Sequence, residues 1–211
     1  MTPMKEFYEK QAASIIKHLN RRNMDAFYCS DSASAVEKAM SLIEKGSTVS
    51  FGGSMTLTES GMMDALKKAD IQLLDRSTAG SPEEVADIYH KALSADYYLM
   101  STNAISLDGQ LVNVDGTGNR VAALIYGPSH IIIMAGMNKV AKDVDAAIRR
   151  VHDCAAPPNA MRLSMKTPCQ AAGVCSDCLS PDCICAQTVI TRFSRIKGRI
   201  TVILIGESLG Y

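Results

Sequence analysis

The chain has no tryptophan, only four phenylalanines and no excess of either charge, with Lys+Arg and Asp+Glu at 22 each in 211 residues. Balanced charge removes any global field toward nucleic acid or an anionic membrane. A basic cluster such as Arg192, Arg195, Lys197 and Arg199 has no aromatic run beside it on which bases would stack. It therefore reads as a solvated strand face rather than a phosphate-tracking patch. No uninterrupted apolar run approaches the roughly 18 residues that span a bilayer. The nearest, VAALIYGPSHIIIMAG, is broken at Gly127-Pro128-Ser129-His130. The opening Met-Thr-Pro-Met-Lys-Glu lacks the apolar core of a signal peptide, so a cytoplasmic location is expected. Internal repeats, low-complexity tracts and convincing linkers are missing too. Residues 1–211 are expected to form one domain with a substantial core.

What is present is an alternation of strand and helix signals. EFYEKQAASIIKHLNRRN places Phe7, Ala13, Ile16 and Leu19 at near-helical spacing. DAFYCS reads as a short strand, and SASAVEKAMSLIEKG as a helix starting at Ser32 or Ser34 and stopping at Gly46. STVSF is a strand that runs into Gly52-Gly53, followed by a helix from about Thr56 to Ala69 and the strand IQLLD. SPEEVADIYHKALS opens with Ser81 as cap, Pro82 at the first helical position and Glu84 three residues after the cap. DYYLMS, QLVNV and HIIIMAG are strands, NRVAALIYG a short helix and VAKDVDAAIRRVHD a longer one. The alternation predicts an α/β domain with a mainly parallel sheet flanked by helices. A Cys-rich loop at about 167–187 follows, and TVITRFS with RITVILIG is expected to form a C-terminal β hairpin at an edge.

In open α/β sheets ligands gather where strands turn into helices. VSFGGSMTLTESG fits that position: Gly52 and Gly53 let backbone N–H groups approach an anion, and Ser54 and Thr56 offer hydroxyls. Thr56 and Glu59 match a capping box, so Glu59 is either a cap or the candidate catalytic base. The second stretch begins with the tight-turn pair Asp108-Gly109. It continues through Asp115, Gly116, Thr117, Gly118 and Asn119 to Arg120. A cation in the first turn of a helix opposes the macrodipole. Either Asp115 pairs with Arg120, or a bound acid or phosphate does. MAGMNKV contributes Lys139, of interest only if it points into the same mouth as Arg120.

Five of the seven cysteines fall between 169 and 185. Cys175-x-x-Cys178 is the kind of knuckle that wraps a tetrahedral metal. Cys169 precedes it, and Cys183 and Cys185 compete for the fourth position. Cys29 reads as a small core residue, and His18, His90 and His130 are given no catalysis. Cys154 ends a helix near His152, which could approach the cluster without needing to. Gly116-x-Gly118 lacks the third glycine of a dinucleotide fingerprint, so no nicotinamide cofactor is expected.

STNAISLDGQLVNVDGTGNRVAALIYGPSHIIIMAGMNKV, AAPPNAMRL and TPCQAAGVCSDCLSPDCIC together resemble the LUD domain, the lactate-utilisation protein C-like group, over nearly the whole chain. The resemblance implies a NagB/RpiA/CoA transferase-like fold, the one shared with ribose-5-phosphate isomerase. It further implies a cytoplasmic role linked to lactate oxidation, beside iron–sulfur oxidoreductase subunits. The family pattern places its last cysteine at Cys185, which makes Cys169, Cys175, Cys178 and Cys185 the implied metal set. Zinc and an iron–sulfur cluster both accept four thiolates. VSFGGSMT is similar to the phosphate-cradling turn of sugar-phosphate isomerases. Those enzymes carry a D-G-A-D-type acidic motif where this chain has Ser101-Thr102-Asn103-Ala104. Asn103 can orient a ligand but cannot move a proton as a carboxylate does.

The expected ligand set is thus Gly52, Gly53, Ser54, Thr56, Asn103, Asp115, Gly116, Gly118, Asn119, Arg120 and Lys139, around a small anionic metabolite. Three functions follow: a subunit in oxidation of lactate or a similar 2-hydroxy acid, a stand-alone enzyme on a sugar-phosphate or acyl-CoA-type substrate, or a non-catalytic metabolite-binding module. These residues are compatible with a catalytic and with a non-catalytic chain, and with a homo-oligomer. Nucleic acid and membrane are not expected as partners.

Overall fold

Runs of Ile, Val, Leu and Met define the strands. In the computed structural model, which describes residues 2–211, these are β1 (Asp25–Cys29), β2 (Thr48–Phe51), β3 (Gln72–Leu74), β4 (Tyr97–Met100), β5 (Ala104–Ser106), β6 (Leu111–Asp115), β7 (His130–Gly136), β8 (Val140–Ala141), β9 (Gln187–Thr191) and β10 (Ile200–Ile205). The helices are α1 (Pro3–Arg21), α2 (Ser32–Met40), α3 (Met55–Glu59), α4 (Met62–Lys68), α5 (Pro82–Ala92), α6 (Asn119–Ile125), α7 (Val144–Arg150), α8 (Ala156–Arg162) and α9 (Pro168–Ala172). The main sheet has the order β1-β10-β7-β4-β2-β3 and is parallel throughout. A second sheet, β8-β5-β6-β9, is mixed.

All six residues of β10 are buried, and all of β7 except His130. Such unbroken apolar runs suit strands covered on both faces. One face packs on Ala12, Ile15 and Leu19 of α1 and on Leu124 of α6, in a cluster that also takes Ile105 and Leu111 from the second sheet. The other face packs on Ala35 and Ala39 of α2, Leu57 of α3 and Leu66 of α4. No helix of the described residues is long and apolar enough to cross a membrane.

The expected α/β class with a mainly parallel sheet is the observed one, but several local expectations need correction. TVITRFS and RITVILIG form no hairpin: β9 pairs antiparallel with β6, while β10 lies between β1 and β7. ITVILI is apolar at nearly every position and needs cover on both faces, which an edge hairpin lacks. The half-exposed QTVIT suits the border it occupies. On α1 the buried stripe is Ala12, Ile15 and Leu19, and Phe7 is 52% exposed. Asp31, not a serine, caps α2 by accepting from Ser34 N at 2.9 Å. The helix expected from Thr56 to Ala69 is two, parted at Gly61, whose φ of +82° only glycine adopts without strain. VAKDVDAAIRRVHD is helical only over α7 and then widens into a π turn at Val151–Ala155. The helix-start signature of α5 holds, with Ser81 accepting from Glu84 N at 3.2 Å.

Candidate functional site

From β2 the chain moves outward to β3, and from β4 it moves the other way through β7 to β10. The carboxyl ends of β2 and β4 therefore flank a topological switch point, where ligands bind in this architecture. A cavity of about 640 Å³ opens there. Gly53 and Ser54 reach it from β2, Arg76 from β3, Ser101 to Asn103 from β4, and Lys139 from β7. The stretch after β6 adds Asp115, Gly116, Asn119 and Arg120. The two glycine-rich turns therefore meet across one hollow, and Lys139 shares it with Arg120.

Four of the expected residues stand outside the lining. Gly52 donates its N–H to Leu99 O at 2.9 Å, and a Cβ there would sit 3.0 Å from Arg120 Cδ. Gly118 caps α6 at φ +91°, donating to Asp115 Oδ1 at 2.8 Å. Thr56 is fully buried and donates its hydroxyl to Leu209 O at 3.1 Å. Glu59 is exposed and accepts from Gly210 N at 2.7 Å. The Thr56–Glu59 capping box does not form, because Ser54 holds the cap position and Thr56 is already inside the helix. Both side chains instead fasten the segment after β10.

Arg120 is 13% exposed and uses every N–H it has. Nε donates to Asp115 Oδ2 at 3.1 Å, Nη1 to Ser101 O and Asn113 Oδ1, and Nη2 to Asn103 Oδ1 and Val114 O. Five donors on five protein acceptors leave none for a ligand. The choice left open by the sequence falls to Asp115: Arg120 ties β4, β6 and α6 together behind the cavity surface. Burial lowers its basicity below that of a free guanidinium, and Asp115 opposes this only in part.

Lys139 is the opposite case. It is 4% exposed, and its one hydrogen bond among the described residues runs from Nζ to Ser101 Oγ at 3.2 Å. No carboxylate lies within ion-pairing distance among the described residues. Burial, reinforced by the nearby charges of Arg150 and Arg120 and only partly opposed by Glu59, brings its amine down to about 7. Two more cations line the cavity. Arg76 has no hydrogen-bonded partner among the described residues and lies 5.7 Å over the Tyr89 ring. Arg162 donates to Asn159 Oδ1 through Nε and Nη2. The lining holds three guanidinium groups, Arg76, Arg120 and Arg162, the amine of Lys139, and two carboxylates, Asp115 and Asp182. With Asp115 neutralised by Arg120, the field inside is positive.

The Cys-rich loop forms one wall, through Pro181, Asp182, Cys183 and Ile184. All seven cysteines are free thiols. Burial, then Cys183, Cys175 and Cys169, push the Cys185 thiol up to about 12. His152 Nδ1 lies 3.4 Å from Cys175 Sγ. Among the described residues no three His, Cys, Asp or Glu side chains are grouped to hold a metal ion. As placed, Cys169, Cys175, Cys178 and Cys185 do not close around one.

Sequence reasoning missed Arg76, Arg162, Tyr89 and the loop wall. Arg76 follows β3 directly, so the strand-end rule that found Gly53 extends to it. Arg162 sits past the π turn on α8, and no spacing in the sequence marks it.

The basic run also divides: Arg192, Arg195 and Lys197 are exposed, but Arg199 is half-buried and donates to Ala123 O, Leu124 O and Pro128 O. Two of these carbonyls, of Ala123 and Leu124, belong to the last turn of α6, and the third lies just beyond it.

Comparison with known proteins agrees with this architecture. No curated protein matches the chain in sequence. A crystal structure of a DUF162 family protein from Deinococcus radiodurans superposes with a TM-score of 0.53 at 10% identity, covering 94% of this chain and 98% of that one. Partial likenesses include eIF2B delta from Chaetomium thermophilum, at 19% identity and TM-score 0.37, over 56% of this chain and 50% of that one. Ribose 5-phosphate isomerase from Plasmodium falciparum gives 15% identity and TM-score 0.33, over 53% and 52%. The LUD domain family model matches residues 12–205, all but the ends of the chain. The protein belongs to the LUD domain family.

Proposed function

We propose that the cavity binds a small organic anion, in the first instance a 2-hydroxy or 2-oxo carboxylate of lactate metabolism. The observation that carries this reading is the surplus of cations around a crevice at the switch point, with Arg76 unpartnered at its wall. A guanidinium presents paired N–H donors that match a carboxylate or phosphate. The carboxylate of the ligand would sit between Arg76 and Arg162, and its second-carbon oxygen would face Lys139. Oxidation of a hydroxy acid needs an electron acceptor, and iron–sulfur oxidoreductase subunits are the partners this reading assigns to that role.

The volume of about 640 Å³ exceeds what a three-carbon acid fills and lies within the range of larger metabolite sites. It favours a second reading, a phosphorylated or acyl-activated substrate whose anionic end occupies the same cations. Thermal unfolding with lactate, pyruvate, inorganic phosphate, ribose 5-phosphate and coenzyme A separates the two, because selective binding to the native state raises the melting temperature. The expected result is stabilisation by lactate or pyruvate that is lost in Arg76→Ala and weakens with added salt. Stabilisation only by the phosphorylated compounds selects the second reading, and no stabilisation by any of them overturns both.

A further inference from the structure

Lys139 is held too rigidly and paired too poorly to be a surface charge that strayed inward. It closes the single turn Met137–Lys139 after β7. Asn138 locks that turn by accepting from Leu209 N at 3.1 Å and donating to Gly210 O at 3.2 Å. Arg150 Nε holds the Asn138 carbonyl at 3.0 Å. The amine is thus delivered to the cavity on a fixed backbone. An ammonium has three donors, and the protein meets one of them, with Ser101 Oγ. The charged groups that act on it are the cations Arg150 and Arg120 and, more weakly, Glu59. A buried ammonium in that company is unfavourable, and a neutral amine with a free lone pair is favoured.

We propose that Lys139 is a covalent site, whose ε-amine condenses with the ketone carbon of a 2-oxo acid bound in the cavity to form an imine. This rests on the carboxylate reading of the cavity and adds a reaction to it. The nitrogen lone pair forms the C–N bond while the carbonyl π pair moves to oxygen, which takes up a proton. The carbinolamine then loses its hydroxyl as water, with the nitrogen giving up its remaining proton, and hydrolysis reverses the sequence. Ketone and amine become imine and water, with no oxidant or reductant involved. A role as base toward a hydroxy acid would instead require an electron acceptor at the site. Desolvated lysines next to other cations are the type that perform this condensation.

The test is to incubate the full chain with pyruvate and borohydride, which reduces the imine to a stable secondary amine, and to map the label by peptide mass spectrometry. Label is expected on Lys139 over any surface lysine by roughly tenfold or more, since an unperturbed lysine is only about a thousandth neutral near pH 7. The yield should rise with pH through the region near 7. Lys139→Met should lose the label, and Arg76→Ala should lose both the label and the thermal stabilisation by pyruvate. Thermal stabilisation of the native chain without label at Lys139, or label spread evenly over exposed lysines, overturns the covalent role and leaves the binding site standing. Neither label nor stabilisation overturns both.

Discussion

Arg120 and Lys139 show how two cations on one cavity are set apart by their partners. Arg120 satisfies Asp115, Asn103 and Asn113 together with two backbone carbonyls, and lysine cannot reproduce that planar fork. Arg120→Met, which removes both the fork and the charge, should therefore lose about 3–5 kcal/mol in urea unfolding, the range for stranding a buried ion-pair partner. Lys139 should behave in the opposite way. Its folded pKa of about 7 lies below the roughly 10.4 of an unfolded lysine. Between those values the unfolded chain holds a proton that the native state has released, so this residue makes stability rise with pH. Below pH 7 the native state carries the full cost of burying the charge. Lys139→Met should raise the melting temperature most at or below neutrality, with the gain narrowing toward pH 10. A gain that grows with pH would contradict the assigned environment.

At the scale of elements, the sequence was most legible where a short pattern answers to one local force. Ser81, Pro82 and Glu84 announce α5, and Asp108-Gly109 announces the turn between β5 and β6, where Gly109 has φ +83°. It was least legible where a distant partner overrides the local cue. Thr56 and Glu59 have the spacing of a cap, yet both are recruited by backbone more than 150 positions away. Arg199 likewise reads as surface charge, but its guanidinium finishes α6 from another part of the chain. Arg199→Met would leave three carbonyls without that donor. An expected loss of about 1–3 kcal/mol, the desolvation penalty of unpaired buried acceptors, is measurable by chemical denaturation. Earlier exchange of the amide hydrogens of residues 119–125 should accompany it.

Across the whole molecule, the parallel class and the meeting of the two glycine-rich turns could be read from strand and turn order, because switch-point geometry follows from that order. The identity of the free cations could not. Arg76 and Arg162 come together with Lys139 only through the packing of β3, α8 and β7, and no interval along the chain encodes that distance. The same holds for the strands at the end of the chain, which look like neighbours in sequence and part into different sheets. Because β10 is inserted between β1 and β7, residues 25–29 have no ladder to join until residues 200–205 have left the ribosome. A nascent chain must keep β1 without its ladder while residues 30–199 are made, with that edge open to misassociation.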